Sequence, residues 1–172
     1  MHSQSVVAGL PMTFAIKTKT GIIFGANPIA GYGSSVLSEN VDRFTKIGSN
    51  LVFSASGDYS DFCKISENLN EMWYKESVFG SVQTPNVEKY ANYTQNMCYE
   101  RRNKVDPFLI DGAVGGFDSE GRNRLYYVDQ FGTFFEKKYI CTGIGNYMLP
   151  AMVGKFKIII DLISRGSFQK RF

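Results

Sequence analysis

Apolar and polar positions alternate from Thr13 to Lys19. Phe14 and Ile16 fall on one side of an extended chain and Ala15, Lys17 and Lys19 on the other, the period of a strand with one face covered. Thr20-Gly21 turns the chain, because glycine reaches positive φ without steric penalty, and Ile22-Ile23-Phe24-Gly25-Ala26 returns apolar on both faces. Such a strand is covered on both sides, so the hairpin is expected in the interior. Pro28 to Gly33 reads as a loop, with Gly31 and Gly33 flanking Tyr32, and Val36 to Val41 is mixed. Arg43-Phe44-Thr45-Lys46-Ile47 alternates as a short strand. Gly48-Ser49-Asn50 is turn chemistry, and Leu51-Val52-Phe53-Ser54-Ala55 is a buried strand closed by Ser56-Gly57-Asp58.

The period then becomes helical. Phe62, Ile65, Leu69, Met72 and Trp73 form one stripe behind Asp58 and Asp61, which are spaced as a capping box; Trp73, on that stripe, is read as core rather than as a subunit contact. After a break at Gly80 and Pro85, Asn86 caps a second helix whose stripe is Val87, Tyr90, Ala91, Thr94, Met97 and Cys98, ending before Pro107. Strands resume at Leu109 to Val114, break at Gly115-Gly116, and continue at Leu125 to Val128 and, after a turn at Asp129 to Gly132, at Thr133 to Thr142. Tyr147 to Ile163, with Pro150 in its first turn and Gly166 as a stop, predicts a last helix. Grouped strands, helices, strands and a helix argue an α+β fold with two antiparallel sheets between helical layers. The expectation is a single domain over 1–172, with 1–12 as a leader or arm and 164–172 as an unplaced tail.

Composition narrows the chemistry. A hydrophobic share of 44% with 15% aromatic residues is globular, and the net charge of +3 is mild. Basic residues are scattered apart from Arg101-Arg102-Asn103-Lys104 and Gln169-Lys170-Arg171, so a solvated face is expected there and no nucleic-acid partner. Cys63, Cys98 and Cys141 are odd in number and far apart, which argues against a disulfide framework and for core cysteines in a reducing compartment. The only histidine, His2, sits at a terminus, leaving nothing on which to build a zinc site or a Ser-His-Asp triad; no metal or cofactor is expected. No apolar run reaches spanning length and the start carries no secretory pattern, so the expectation is a soluble intracellular protein with no membrane partner.

Several stretches, in this order and spacing, carry a family resemblance: Ala30-Gly31-Tyr32-Gly33-Ser34, Ala55-Ser56-Gly57-Asp58-Tyr59-Ser60-Asp61-Phe62, Arg101-Arg102-Asn103-Lys104 through Asp106-Pro107, Gly115-Gly116-Phe117, and Tyr127-Val128-Asp129 running to Thr142-Gly143-Ile144-Gly145. From about Pro11 to about Pro150 the chain resembles the β-type subunits of the 20S proteasome, and among them the non-catalytic seventh β class. The resemblance implies an αββα four-layer sandwich of the N-terminal-nucleophile hydrolase type, C-terminally shortened here because the match fades beyond Pro150. It also implies a place in a heteroheptameric ring of proteasome β subunits, facing α-ring subunits and the opposite β ring, in cytoplasm and nucleus, supporting ubiquitin-dependent degradation.

Active members of that family expose a threonine at the start of the first strand, whose hydroxyl attacks and whose freed amine is the base, oriented by an aspartate and a lysine. Aligned on Lys17, Gly21 and Ala26, the nucleophile position holds Pro11, the aspartate position Asn27, the lysine position Arg43, and a supporting serine position Ile144. Only the backbone of Gly57, at an oxyanion donor's position, matches. Proline has no hydroxyl, Asn27 brings no charge, and a wide guanidinium fork does not replace an ammonium. The resemblance therefore implies no catalytic residue in this chain. Cleavage after Met12 would expose Thr13, but two residues along a strand displace the nucleophile by roughly 6.6 Å. Leu10 and Met12 stand where active members carry glycine before the cut. Tyr32 and Tyr59 fall where active relatives line the cleft and specificity pocket and could fill an unused cleft, but they are read in preference as ordinary half-buried tyrosines packed on the core. Two readings from other classes are an N-terminal-nucleophile amidase or threonine peptidase using Thr13 or another processed residue, and a basic module binding phosphates through Arg101 to Lys104.

Overall fold

The computed structural model describes residues 11–32, 35–80 and 84–147. Of the expected arm over 1–12, residues 1–10 lie outside the described residues, whereas Met12 already belongs to the first strand; the expected helix beyond 147 and the tail also lie outside, as do Gly33, Ser34 and the side chain of Tyr32. Along the chain come β1 (Met12–Lys17), β2 (Ile22–Ala26), β3 (Ala30–Tyr32), β4 (Ser35–Ser38), β5 (Phe44–Ile47), β6 (Leu51–Gly57), α1 (Tyr59–Phe79), α2 (Val87–Arg101), β7 (Ile110–Phe117), β8 (Asn123–Asp129), β9 (Phe134–Glu136) and β10 (Tyr139–Gly143). They build a five-stranded sheet in the order β5-β6-β7-β8-β9, a three-stranded sheet β10-β1-β2, and a β3-β4 ribbon, all antiparallel.

The period of two decides which side chains meet. In β6, Leu51, Phe53 and Ala55 point to the helices, where they join Ile47, Phe62, Ile65, Leu69 and Tyr90 in one core. On the opposite face of that sheet, Ala113 and Leu125 meet Ala15 and Ile140, with Ile22, Phe24 and Tyr127 at the margin. Each fully buried Leu, Ile or Phe contributes about 1.5–3 kcal/mol, so the helix-facing core dominates the stability of the described part. Three layers (helix, sheet, sheet) of an α+β sandwich thus lie within the described residues.

Both helices begin as their caps predict. Asp58 accepts from the Ser60 and Asp61 amides, and Asn86 from those of Glu88 and Lys89. The reciprocal half of the expected box is absent: the Asp61 carboxylate accepts from the Leu109 amide at 2.8 Å and ties α1 to the start of β7. Trp73 is partly buried against the helix-facing core, as its stripe position predicts.

Five expectations are corrected. The first hairpin is not interior: β2 is the outer strand of its sheet and Ile23 is 37% exposed. Pro28 to Gly33 and the mixed stretch after it contain the β3-β4 ribbon, whose register shifts between Ala30 and Gly31, and such irregular pairing leaves no clean alternation. The strand expected to close at Ala55 continues through Gly57. Gly115-Gly116 does not break β7; a Cβ at Gly115 would stand 2.8 Å from the Phe24 ring and one at Gly116 2.2 Å from the Asn50 carbonyl, so these glycines allow close approach inside a strand. The run Thr133 to Thr142 is two strands that join different sheets, parted at Lys137 and Lys138.

Candidate functional site

The head of β1 meets the ends of β10 and β6. Met12 lies opposite Gly143 and Thr13 opposite Thr142, while the Asn27 amide donates to the Met12 carbonyl at 2.9 Å. Gly143 has φ of +63°, and a Cβ there would stand 1.8 Å from the Pro11 carbonyl oxygen and 3.4 Å from the Ser56 Cβ. Only glycine fits, because both the left-handed backbone and the space forbid a side chain. Pro11, Asn27 and half-buried Ile144 are therefore brought to one end of the two sheets, beside the Ser56-Gly57 end of β6.

The groups assembled there are poor in nucleophilic chemistry. Asn27 folds its side-chain oxygen back to accept from the Ile29 amide at 3.1 Å, an Asx-type turn that shapes the exit from β2. Gly57 has φ of +103°, and a Cβ would lie 2.2 Å from the Leu109 carbonyl oxygen; packing alone requires glycine. Thr13 is 1% exposed between β10 and β2, with its hydroxyl 2.7 Å from that of Thr142. Neither the Thr13–Thr142 pair nor Ser56 was singled out by sequence reasoning. The partner of Thr13 lies 129 residues away, and Gly143 after an apolar strand is the one local signal.

Arg43 sits one residue before β5, beside the first turn of α1. It is 1% exposed, its guanidinium carbon lies 5.8 Å from the centre of the Tyr59 ring, and its Nε and Nη1 have no hydrogen-bond partner among the described residues. Burial lowers its pKa, while the charges of Tyr59, Asp58 and Cys63 act in the opposite direction; the group remains a cation in such a setting. Tyr59 itself stacks on Phe62 with centroids 5.9 Å apart and stays 38% exposed, so it caps the core from outside. Burial raises its phenol pKa, together with a hydrogen bond to Cys63.

Elsewhere, Asp111 lies opposite Asp129 across the β7–β8 pair, with the Tyr127 hydroxyl donating to Asp111 at 3.4 Å. Burial, then the Asp129 charge, push the Asp111 carboxyl upward. In the basic stretch, Arg101 lies over Phe108 and pairs with Asp106, and Arg102 lies over Tyr99, so both guanidinium groups have partners within the fold. Among the described residues no cluster of three or more His, Cys, Asp or Glu is placed to hold a metal ion, and no helix is long and apolar enough to cross a membrane.

The family profile described as "Proteasome subunit" matches residues 11–157. The chain is 30% identical over 152 residues to proteasome subunit beta type-4 of Xenopus laevis, covering 88% of this chain and 62% of that protein. It is 31% identical over 153 residues to the probable proteasome subunit beta type-7 of Schizosaccharomyces pombe, covering 88% of this chain and 58% of that protein. With proteasome subunit beta type-4 of Arabidopsis thaliana it shares 31% identity over 134 residues, 78% of this chain and 54% of that protein. The chain thus spans between 54% and 62% of the length of these relatives.

Proposed function

The chain belongs to the proteasome subunit family, and on that footing we propose that it is a non-catalytic structural β-type subunit of the 20S core particle. Its place is a heteroheptameric β ring, against α-ring subunits and the opposite β ring, in cytoplasm and nucleus. There it supports the degradation of ubiquitin-marked proteins by catalytic neighbours, as the likeness to beta type-4 subunits suggests.

The observation that carries the non-catalytic reading is the state of the hydroxyls at the head of β1. Pro11 stands at the aligned nucleophile position with none to offer, and the hydroxyl of Thr13 is buried and engaged by Thr142. A base cannot activate a hydroxyl that is sealed between two paired strands and out of reach of substrate. Arg43 adds to the case: a buried fork against Tyr59 takes the place of a compact ammonium. The same burial of Thr13 counts against an amidase that uses it as a processed terminus.

The test is to isolate the native chain with whatever it is bound to, and to treat the preparation with reagents that capture N-terminal threonine. Co-purification with many chains of similar size and no adduct on this chain is the expected result. A covalent adduct at any of its residues, or recovery of the chain with a mature terminus at Thr13, refutes the proposal.

A further inference from the structure

The basic stretch Arg101 to Lys104 stands at the C-terminal end of α2, where a cation complements the partial negative charge of the helix terminus. That accounts for Arg101, which also pairs with Asp106 and lies over Phe108. Arg102 and Lys104 are left over. The Arg102 guanidinium carbon lies 4.4 Å from the centre of the Tyr99 ring, and neither Arg102 nor Lys104 meets a carboxylate among the described residues. Lys104 stays beside it, because its amide closes a turn on the Arg101 carbonyl at 2.9 Å. The neighbouring carboxylates are spent or turned away. Asp106 holds Arg101, and the Asp129 Oδ1 accepts from the Phe131 and Thr133 amides. Glu100, two residues before Arg102, falls on a different side of the helix.

The second observation is the apolar surface beside these cations. The turn from Asp129 to Gly132 packs on α2: a Cβ at Gly132 would stand 2.7 Å from the Tyr99 Cβ and 3.3 Å from the Gln95 carbonyl oxygen. That close approach brings Phe131, the residue before it, to the surface that carries Tyr99, and the two side chains stay 60% and 54% exposed. A single exposed apolar side chain needs no cause, whereas two aromatic rings on one surface, with a guanidinium stacked on one of them, have the composition of the centre of a protein interface. Stacking also holds the guanidinium in place, so less freedom is lost when its donors meet an oxygen.

We propose that the end of α2 and the Asp129 to Gly132 turn form a docking surface for an acidic segment of another polypeptide. A carboxylate of that segment meets Arg102 and Lys104, and an apolar side chain next to it lies on Phe131 and the free part of Tyr99. Charge selects this occupant, since two cations without carboxylates stand beside the rings. A nucleic acid fits less well: Arg102 takes up one face of the Tyr99 ring that a base would need, and two cations do not track a phosphate backbone. The surface has this character in whatever assembly the chain joins, because it is built from one face of this chain alone.

The experiment isolates the native assembly through a tagged full-length chain and treats it with a zero-length carbodiimide, which joins an amine to a carboxylate in contact with it. Cross-linked peptides are then mapped by mass spectrometry. Lys104 is expected to be joined to an Asp or Glu of another polypeptide, with an apolar residue beside that acid. The link between Lys64 and Glu67, 3.3 Å apart on α1, is the internal reference. Arg102→Gln and Phe131→Ser, both at exposed positions, should each lower the Lys104 yield by about tenfold relative to that reference, as loss of a central interface side chain does. Absence of any link from Lys104 to another polypeptide overturns the proposal. So does a link whose yield is the same in the parent and both variants. A link that disappears when nuclease is added before the reagent also overturns it, and gives the surface to a nucleic acid instead.

Discussion

Replacing Gly57 by alanine isolates a structural demand at a position that a catalytic reading would claim for itself. The backbone there has φ of +103°, and an added Cβ would stand 2.2 Å from the Leu109 carbonyl oxygen and 3.0 Å from the Ile110 Cα. That carbonyl accepts the Asp58 amide at 2.9 Å, so pushing it away loosens the junction of β6, α1 and β7 at one stroke. The disallowed φ costs about 1–2 kcal/mol, and displacing packed backbone costs about 1–3 kcal/mol more. A total of about 3 kcal/mol, divided by a urea dependence of about 2 kcal/mol per molar, lowers the unfolding midpoint by about 1.5 M. Gly121 is the control, since its φ is +73° but nothing lies within 4 Å of an added Cβ. Gly121→Ala should carry only the backbone term and shift the midpoint by about 0.5 M. Pulse proteolysis across a urea gradient reads both variants without purification. A Gly57→Ala midpoint no lower than that of Gly121→Ala would refute the steric argument.

Three further outcomes are expected. Thr13→Val and Thr142→Val should each destabilise by about 1–3 kcal/mol by leaving a buried hydroxyl short of its partner, and the double variant should cost less than their sum; additivity in urea unfolding would show that the 2.7 Å contact carries no coupling. Asp111, whose carboxyl is held above its ordinary range, favours the folded state only while protonated, a contribution present at pH below its unfolded value and lost as pH rises through the folded value. Asp111→Asn should therefore raise stability at pH 7 and leave it unchanged near pH 3, and equal effects at both would dismiss that assignment. Rebuilding the aligned positions as Pro11→Thr, Asn27→Asp and Arg43→Lys, with and without Leu10→Gly, should leave peptide turnover at background when other active sites are blocked, because Ile144 supplies no hydroxyl and positioning errors cost about a hundredfold per ångström; robust turnover from the triple variant would show that the three visible changes were the whole loss.

Sequence by itself determined what depends on neighbours a few residues away. The stripes of α1 and α2, the Asp58 and Asn86 caps and the alternation of β5 and β6 are local, because helical and extended geometry repeat every 3.6 and 2 residues. The family likeness was legible for the same reason, in short stretches such as those at Gly57 and Gly143, where backbone geometry admits little else. Only the tertiary structure decided which sheet each apolar stretch joins. Periodicity could not reveal that Thr133 to Thr142 divides between two sheets, that the doubly apolar β2 lies at an edge, or that Gly115 and Gly116 continue a strand. Nor could it place Arg43, which reads as a charged residue before a short strand and is buried under the head of α1. An apolar pattern records that a face will be covered, whereas the identity of the cover is set by side chains such as Thr13 and Thr142, 129 residues apart, that meet only when the chain closes.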